Sequence, residues 1–517
     1  MRLEARLKQT AKAFGPKPAV VAGDGQMTYG ELEVLSASLA ATFIGTGVRS
    51  GDRIVMVLDN GWEAVVSFFA CWKAGAVACP LHPTIKAEKL AAILDSTGAR
   101  LVIAQGRLRA TVDAAIAMAV APPRLILVQA GTDDTGDAMG FEQALQMPAP
   151  APLACPPADP DALALLIHTS GSTGRAKGVM LSHANVLAAC QSIASYLGNS
   201  PDDTVLSVLP LSFGYGITQM VTMVLAGGTL VLEKSFAFPR KIVQRLAEVK
   251  ATGFPLVPTM AALITAMKDL PPGSLPDLRY ISSAAAAMPP AIGGQLQQMF
   301  PDTRLYLMYG QTECLRATYL SPDEACGRIG SVGKAIPGTD AFVIDDDGRR
   351  AAPGVVGELI VEGPHVMQGY WQDPLASALA LSPIDGGRRL HTGDLFRTDA
   401  EGFLYFVSRR DDIIKTRGEK VSPQEVENAL YSLPGITEAA VAGADDPIFG
   451  QVVRAYVVLA EGAVLGEREI IRHCAGLLED YMVPKSVEFR TALPRTTTGK
   501  IRLSAEPPQT VNEGNAA

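Results

Sequence analysis

The sequence predicts an α/β protein: a large N-terminal α/β domain of several subdomains, followed by a small C-terminal α+β domain. Three observations lead there. Short β-rich runs alternate with helical patterns along most of the 517 residues, the mark of α/β layers with largely parallel sheets. Near Ser408 the chain changes character, and the remaining unit of about 100 residues is a normal size for a separate domain. Hydrophobic residues make up 48% and charged residues 19%, as in a globular protein large enough for a substantial core.

Taken in order, "MRLEARLKQTAKAFG" reads as an amphipathic helix and lacks the apolar centre of a signal peptide. The run "RIVMVLD" at Arg53 is a strand that precedes a helix through "WEAVVSFFACWKAG". Further strands are expected at "RLVIAQG" from Arg100, "RLILVQ" from Arg124 and "GGTLVLEK" from Gly227, the last followed by a helix through "PRKIVQRLAEV". The Pro-rich passage "MPAPAPLACPPADPDA" from Met147 is an exposed linker. The longest apolar stretches, Ala64 to Pro80 and Met220 to Leu232, are broken by Lys73 and by Gly227-Gly228. Neither reaches the roughly 18 uninterrupted residues of a membrane span. After "GFLYFVSRRDD", a charged stretch suited to a hinge, come strands at "AAVAGA" and "VVRAYVVL" and helices at "PQEVENALYSL" and "EREIIRHCAGLLEDY". The domains are therefore expected at 1–410 and 411–517.

The net charge of −8, with no basic cluster, argues against nucleic-acid binding. Seven dispersed cysteines with no CxxC pair suit a reducing cytoplasm, and the six histidines show no metal-ligand spacing with them. The segment "HTSGSTGRAKG" from His168 invites comparison with a P-loop, G-x-x-x-x-G-K-[ST]. Counted from Gly171, the second glycine falls on Ala176, and the residue after Lys177 is Gly178 in place of Ser or Thr. It is not a P-loop by pattern. Its hydroxyls and backbone amides could still hold a triphosphate; alone, an ordinary solvated turn explains it equally well.

It does not stand alone. In order the chain carries "TYGELE" (Thr28), "HTSGSTGRAKGV" (His168), "LPLSFGYG" (Leu209), "YGQTE" (Tyr309), "HTGDL" (His391), "SRRDDIIKTRGEKVSPQEVE" (Ser408) and "PRTTTGKI" (Pro494). Together these resemble the AMP-forming adenylating enzymes: acyl- and aryl-CoA synthetases, nonribosomal-peptide adenylation domains and firefly luciferase. The likeness runs from about Thr28 to Ile501. The stretch "YGQTECLRATYL" is similar to stand-alone ligases that load acids, proline among them, onto CoA or carrier proteins.

The resemblance implies a two-step reaction and a mobile C-terminal domain. A carboxylate attacks the α-phosphate of ATP to give acyl-AMP and pyrophosphate, and a thiol then displaces AMP. The first step needs positive charge and amide donors around the phosphoryl group. By resemblance Thr169, Ser170, Gly171, Ser172, Thr173, Gly174 and Lys177 form the phosphate loop, with Ala176 where the family usually has proline. Thr312 and Glu313 contact the α-phosphate and hold Mg2+, Tyr309 belongs to the nucleotide site, and Asp394 and Arg409 secure the ribose. Ser408 replaces a usual glycine. Asp411 is the hinge, with Asp412 an ordinary solvated residue, and Lys500 is the lysine of the adenylation step. Gly418, Glu419 and Lys420 lie along the thiol's path, while His168 and His391 are structural.

For the acid pocket the resemblance implies Phe213, Gly214, Tyr215, Ala285 and Ala286. Phe213 stands where CoA ligases often have histidine, and Gly214 where amino-acid-loading relatives carry the aspartate that grips an ammonium. The usually glycine-rich loop reads "SSAAAAMP" from Ser282, which narrows the site. The expectation is an ATP- and Mg2+-dependent carboxylic acid–CoA ligase for a fatty or aryl acid. A ligase that loads a phosphopantetheinyl acyl carrier protein is the alternative, and a non-catalytic adenylate-binding protein is a rival from another class. No nucleic acid and no integral membrane segment are expected, and the location expected is cytoplasmic.

Overall fold

The computed structural model describes residues 1–129, 137–146, 159–169, 177–267, 269–410, 412–416, 419–446 and 450–495. They pack as two compact units, Met1–Phe406 and a second beginning at Val407.

The first unit holds two sheets. In one, strands Val77–Pro80, Arg53–Val57, Leu101–Gln105 and Arg124–Val128 lie side by side in parallel. Beyond Val77–Pro80 come Leu163–Thr169, Lys177–Ser182 and the short Gly369–Tyr370, the last two joined antiparallel. The runs RIVMV and LVIAQ are almost wholly buried, as strands covered on both faces must be. Helix Trp62–Lys73 is buried from Glu63 to Trp72, and Lys73 at its end reaches Glu33 at 2.6 Å. That pair explains how a lysine interrupts so apolar a run. Among the described residues no helix is long and apolar enough to cross a membrane.

The second sheet is longer and changes direction midway. Thr229–Leu232, Thr204–Ser207, Gly253–Leu256, Tyr280–Ser283 and Arg304–Tyr309 run parallel. After Tyr309 the chain turns back, and Thr318–Leu320, Ser331–Ala335 and Leu404–Arg409 add in antiparallel fashion. Gly387–Thr398, Gly357–Glu362 and Asp340–Ile344 extend the same arm. The expectation of largely parallel sheets thus holds only up to Tyr309. The return from Tyr309 to Thr318 is too short for the crossover helix that parallel pairing needs.

The motif at Thr28 is a helix start. Thr28 accepts the Glu31 N–H while the Glu31 carboxylate accepts from Thr28, the reciprocal capping box of helix Tyr29–Gly45. Ser182 and Asn185 do the same for helix His183–Leu197, immediately after strand Lys177–Ser182. The expected strands at Arg53, Arg100, Arg124 and Gly227 and the N-terminal helix (Leu3–Phe14) are all present. The Pro-rich passage lies mostly outside the described residues.

The second unit is α+β. Strands Glu419–Val421, Ile414–Thr416, Gly450–Leu459, Ile436–Asp446 and Ser486–Phe489 form one sheet, packed by helices Pro423–Tyr431 and Glu467–Ala475. Its core gathers Ile414, Val426, Leu430, Val457 and Ile470.

Within that unit the Glu427 carboxyl accepts the Val441 N–H at 3.0 Å. Burial pushes its pKa up to about 8, against the opposing pull of this bond and with help from Asp412. The unfolded chain releases that proton near 4.5, so the stabilisation is complete below about pH 4.5 and is lost as the pH rises through about 8. Glu427→Gln keeps an acceptor for Val441 and has no proton to lose. We expect it to raise the thermal midpoint of the second unit at pH 8 on the order of 5 °C and to flatten its pH dependence, read by calorimetry between pH 5 and 8. A variant whose midpoint tracks the wild type across that range would contradict the buried proton.

Candidate functional site

In parallel sheets, ligands gather at the carboxyl ends of the strands. Three of the quoted motifs converge there in the first unit. Strand Arg304–Tyr309 delivers "YGQTE", strand Tyr280–Ser283 delivers the alanine run, and helix Gly214–Ala226 begins inside "LPLSFGYG".

The first cluster is built around Asp394, 4% exposed on the long strand Gly387–Thr398. The Tyr309 hydroxyl donates to its Oδ2 at 2.6 Å, and Gln311 Nε2 donates to the same oxygen at 2.9 Å. Gln311 also reaches the Thr392 carbonyl at 2.8 Å, which ties the turn after Tyr309 to the strand that carries the aspartate. The Tyr309 ring packs edge-on against Phe396, centroids 4.8 Å apart. A buried carboxylate is tolerated when several donors meet it, and here two side chains do so. The sequence places Tyr309 and Asp394 in the site; Gln311, inside the quoted motif, received no role.

The second cluster joins Lys177, Tyr370 and Glu313. Thr169 and Lys177 are cross-strand partners that close the segment 170–176, and Thr169 Oγ1 donates to the Lys177 carbonyl at 3.4 Å. The Lys177 ammonium lies 5.0 Å from the Tyr370 ring centroid, within cation–π range. The Tyr370 hydroxyl donates to Glu313 Oε1 at 2.8 Å. The backbone adds a tie, since Met367 N–H donates to the Glu313 carbonyl at 2.8 Å. Tyr370 arrives because Gly369–Tyr370 pairs with strand Lys177–Ser182. Gly178 permits the approach: a Cβ there would stand 3.2 Å from Trp371 Cβ. Thr312 sits half-buried in the same turn. Among the described residues no three of His, Cys, Asp and Glu meet as a metal site.

The third cluster is the expected acid pocket. Phe213, at the start of helix Gly214–Ala226, stacks on His82 at 5.7 Å. The Tyr215 hydroxyl donates to the Ser282 carbonyl at 2.9 Å and pairs with its Oγ at 3.0 Å, so helix and alanine loop are joined. A Cβ on Gly214 would meet Leu315 Cδ2 at 2.9 Å, and any side chain there must displace that leucine. Ala285 takes a left-handed φ of 76°, which turns the loop, and Ala286 is exposed. Arg316 lies over the Tyr215 ring at 4.9 Å, a contact with no signal in the sequence beyond its place in the motif.

His168 is neutral near pH 7, since burial pushes it down to about 4 with help from Lys89. His391 Nε2 pairs with Ser382 Oγ at 3.2 Å. Ser170, Gly171, Ser172, Thr173, Gly174, Asp411, Gly418 and Lys500 lie outside the described residues. Arg409, Glu419 and Lys420 belong to the second unit; Arg409 ends strand Leu404–Arg409, and Glu419 and Lys420 open strand Glu419–Val421. Ser408 stands within a strand rather than a turn, and its hydroxyl donates to the Arg409 carbonyl at 2.9 Å.

The profile of the AMP-binding enzyme matches residues 7–371, and that of the AMP-binding enzyme C-terminal domain matches residues 425–500. A feruloyl-CoA synthase from Amycolatopsis sp is 34% identical over 488 residues, 93% of this chain and 94% of that protein. The anthranilate CoA ligase AuaEII, solved with anthranoyl-AMP, is 25% identical with a TM-score of 0.89, covering 97% of this chain and 95% of that one. ATP-bound MatB from Rhodopseudomonas palustris is 28% identical with a TM-score of 0.87, covering 97% of each chain.

The Asp394 cluster can be tested without any ligand. Tyr309→Phe keeps the ring packing and removes one hydrogen bond to a buried charge, a loss of about 1.5–3 kcal/mol of stability. Tyr309→Phe combined with Asp394→Asn should lose less than the sum of the two single changes, because the neutral amide no longer needs the hydroxyl. Additive losses in a denaturation double-mutant cycle would show that the two groups are not coupled.

Proposed function

As the chain belongs to the AMP-binding enzyme family, we propose how its residues divide the work of an AMP-forming carboxylic acid–CoA ligase. The observation that carries the proposal is the turn after Tyr309. It holds Glu313 against Tyr370, on whose ring Lys177 rests, on one side and meets Asp394 through Gln311 on the other. One side has the charges a triphosphate needs, and the other has a carboxylate that accepts hydroxyls.

ATP lies with its ribose hydroxyls on Asp394 and its phosphates toward Lys177 and the loop from Thr169 to Gly174. An oxygen of the acid's carboxylate attacks the α-phosphorus, the bond to the β-phosphate oxygen breaks, and pyrophosphate leaves with the electron pair. Thr312 and Lys500 donate to the phosphoryl oxygens as charge builds on them; such donors act by electrostatic preorganisation. Magnesium fits Glu313, because it takes one or two carboxylates together with phosphate oxygens; bound there, it neutralises phosphate charge. In the second step the thiol sulfur forms a bond to the acyl carbon, its proton passes to solvent, and AMP departs. The small domain, 411–517, turns about Asp411 between the steps, which brings Gly418, Glu419 and Lys420 to the thiol's path; Arg409 secures the ribose. An acyl carrier protein as thiol donor is the second reading, supported by the likeness of "YGQTECLRATYL" to stand-alone loading ligases. A reaction that consumes ATP and CoA suits the cytoplasm.

The acid pocket carries Phe213, Tyr215, Ala285 and Ala286, and at Gly214, where amino-acid-loading relatives carry the aspartate that grips an ammonium, this chain has no carboxylate. An unpaired buried ammonium is costly, so the acid has no α-amino group. Purified enzyme given a panel of fatty, aryl and amino acids should release pyrophosphate and AMP with acids of the first two kinds and form a thioester with CoA. Proline or another α-amino acid as the best substrate would overturn this assignment.

Lys500→Ala separates the half-reactions. Adenylation should fall by two to three orders of magnitude, the usual loss of one electrostatic donor. Supplied acyl-AMP should still react with CoA at a near-normal rate. Equal loss in both steps would remove Lys500 from the adenylation role.

A further inference from the structure

Among the described residues Arg316 has no acidic partner. It follows the turn that carries Glu313 and is held by its backbone, with Arg316 N–H on the Cys314 carbonyl at 2.6 Å and Ala317 N–H on Tyr309 at 2.9 Å. It is 2% exposed and ranks among the largest fully buried side chains. Among the described residues its guanidinium makes no ion pair and no side-chain hydrogen bond, and Nε is buried without an acceptor. Its one specific contact is the face of Tyr215, 4.9 Å away. Two residues along, the buried Thr318 hydroxyl also lacks a partner.

The surroundings supply no counter-charge. The ionisable groups that feel Arg316 are Cys190, Tyr196, Tyr215 and Cys314. Burial pushes all four upward and keeps them neutral near pH 7, although the guanidinium opposes the shift. Glu313 is engaged by Tyr370, and Asp394 by Tyr309 and Gln311. A guanidinium cannot shed its proton to escape burial, as a lysine or histidine can. An apolar side chain of similar volume would fill the same space at less expense than an unpaired charge. The position therefore wants an anion.

We propose that the acid substrate carries a second anionic group, a carboxylate or sulfonate at the end remote from the reacting carboxylate, and that this group pairs with Arg316. The proposal rests on the ligase reading, with Tyr215 as a wall of the acid pocket. Arg316 lies over the ring of that wall, 4.9 Å from its centroid and three residues from Glu313, so one short segment would serve both ends of the substrate. The planar fork of the guanidinium accepts a carboxylate through two parallel bonds, and the Thr318 hydroxyl is a further donor on the same segment. A cation at this place also repels an α-ammonium, in keeping with the acid class proposed above.

The test compares matched pairs with the unmodified enzyme at pH 8: succinate, glutarate, adipate and terephthalate, each against its monomethyl ester, and 3-sulfopropanoate against butanoate. Pyrophosphate release is read as kcat/KM. At least one dianion should exceed its uncharged-tail partner by about 10- to 100-fold, the worth of a hydrogen bond to a charged group. Arg316→Met should bring that ratio close to one, and Arg316→Lys should keep part of it. The wild-type comparison stands even where a variant folds poorly. Esters and simple monoacids used as well as or better than every dianion would overturn the assignment of Arg316 and leave the ligase reading intact. Esters whose turnover rises with added chloride, without any preference for dianions, would put an inorganic ion beside Arg316 and equally overturn it. No pyrophosphate with any acid would overturn both.

Discussion

The turn that follows Tyr309 is the constraint on which the rest of the site depends. The sheet changes there from parallel to antiparallel, and the chain folds back so tightly that a Cβ on Gly310 would lie 2.8 Å from the Arg316 Cα. Leu315 takes a left-handed φ of 58° to complete the reversal. Only glycine tolerates the first contact. Because the turn is closed in this way, Gln311 meets Asp394, Glu313 meets Tyr370, and Arg316 enters the layer behind. A looser connection would free all three.

The charges around this turn are arranged by partner rather than by number. Asp394 is buried and bonded by two side-chain donors, and Glu313 is bonded by one tyrosine beside a lysine that rests on the same ring. These carboxylates are held in place before any ligand arrives, which is what electrostatic catalysis requires, since preformed dipoles need no reorganisation during reaction. Arg316 is the exception, buried over an aromatic face with no carboxylate to meet it among the described residues. The asymmetry separates groups satisfied within the chain from one that is not.

Much of the architecture was legible in the sequence because the physics is local. Apolar runs such as RIVMV and RLILV are buried strands, and T-x-x-E at Thr28 is a capping box. The antiparallel arm was not legible, because its direction follows from the reversal at Gly310, which leaves no periodic signal. In the site, Tyr309 and Asp394 were readable from their motifs. Tyr370 was not: it reaches Glu313 across 57 positions of sequence through strand pairing, and "QGYW" has no pattern of its own. Arg316 was in plain view, but burial without a partner is a property of packing. The expected acid pocket draws on a helix start, a loop and a turn far apart in the chain, which no local pattern announces.

The central claim is that the acid is activated on ATP before the thiol takes part. Acid-dependent exchange of labelled pyrophosphate into ATP, measured with no CoA present, tests it most directly. The label should enter ATP only when a competent acid is added, and Glu313→Gln should reduce the exchange severely. Exchange that needs CoA, or products that prove to be ADP and phosphate, would contradict the account.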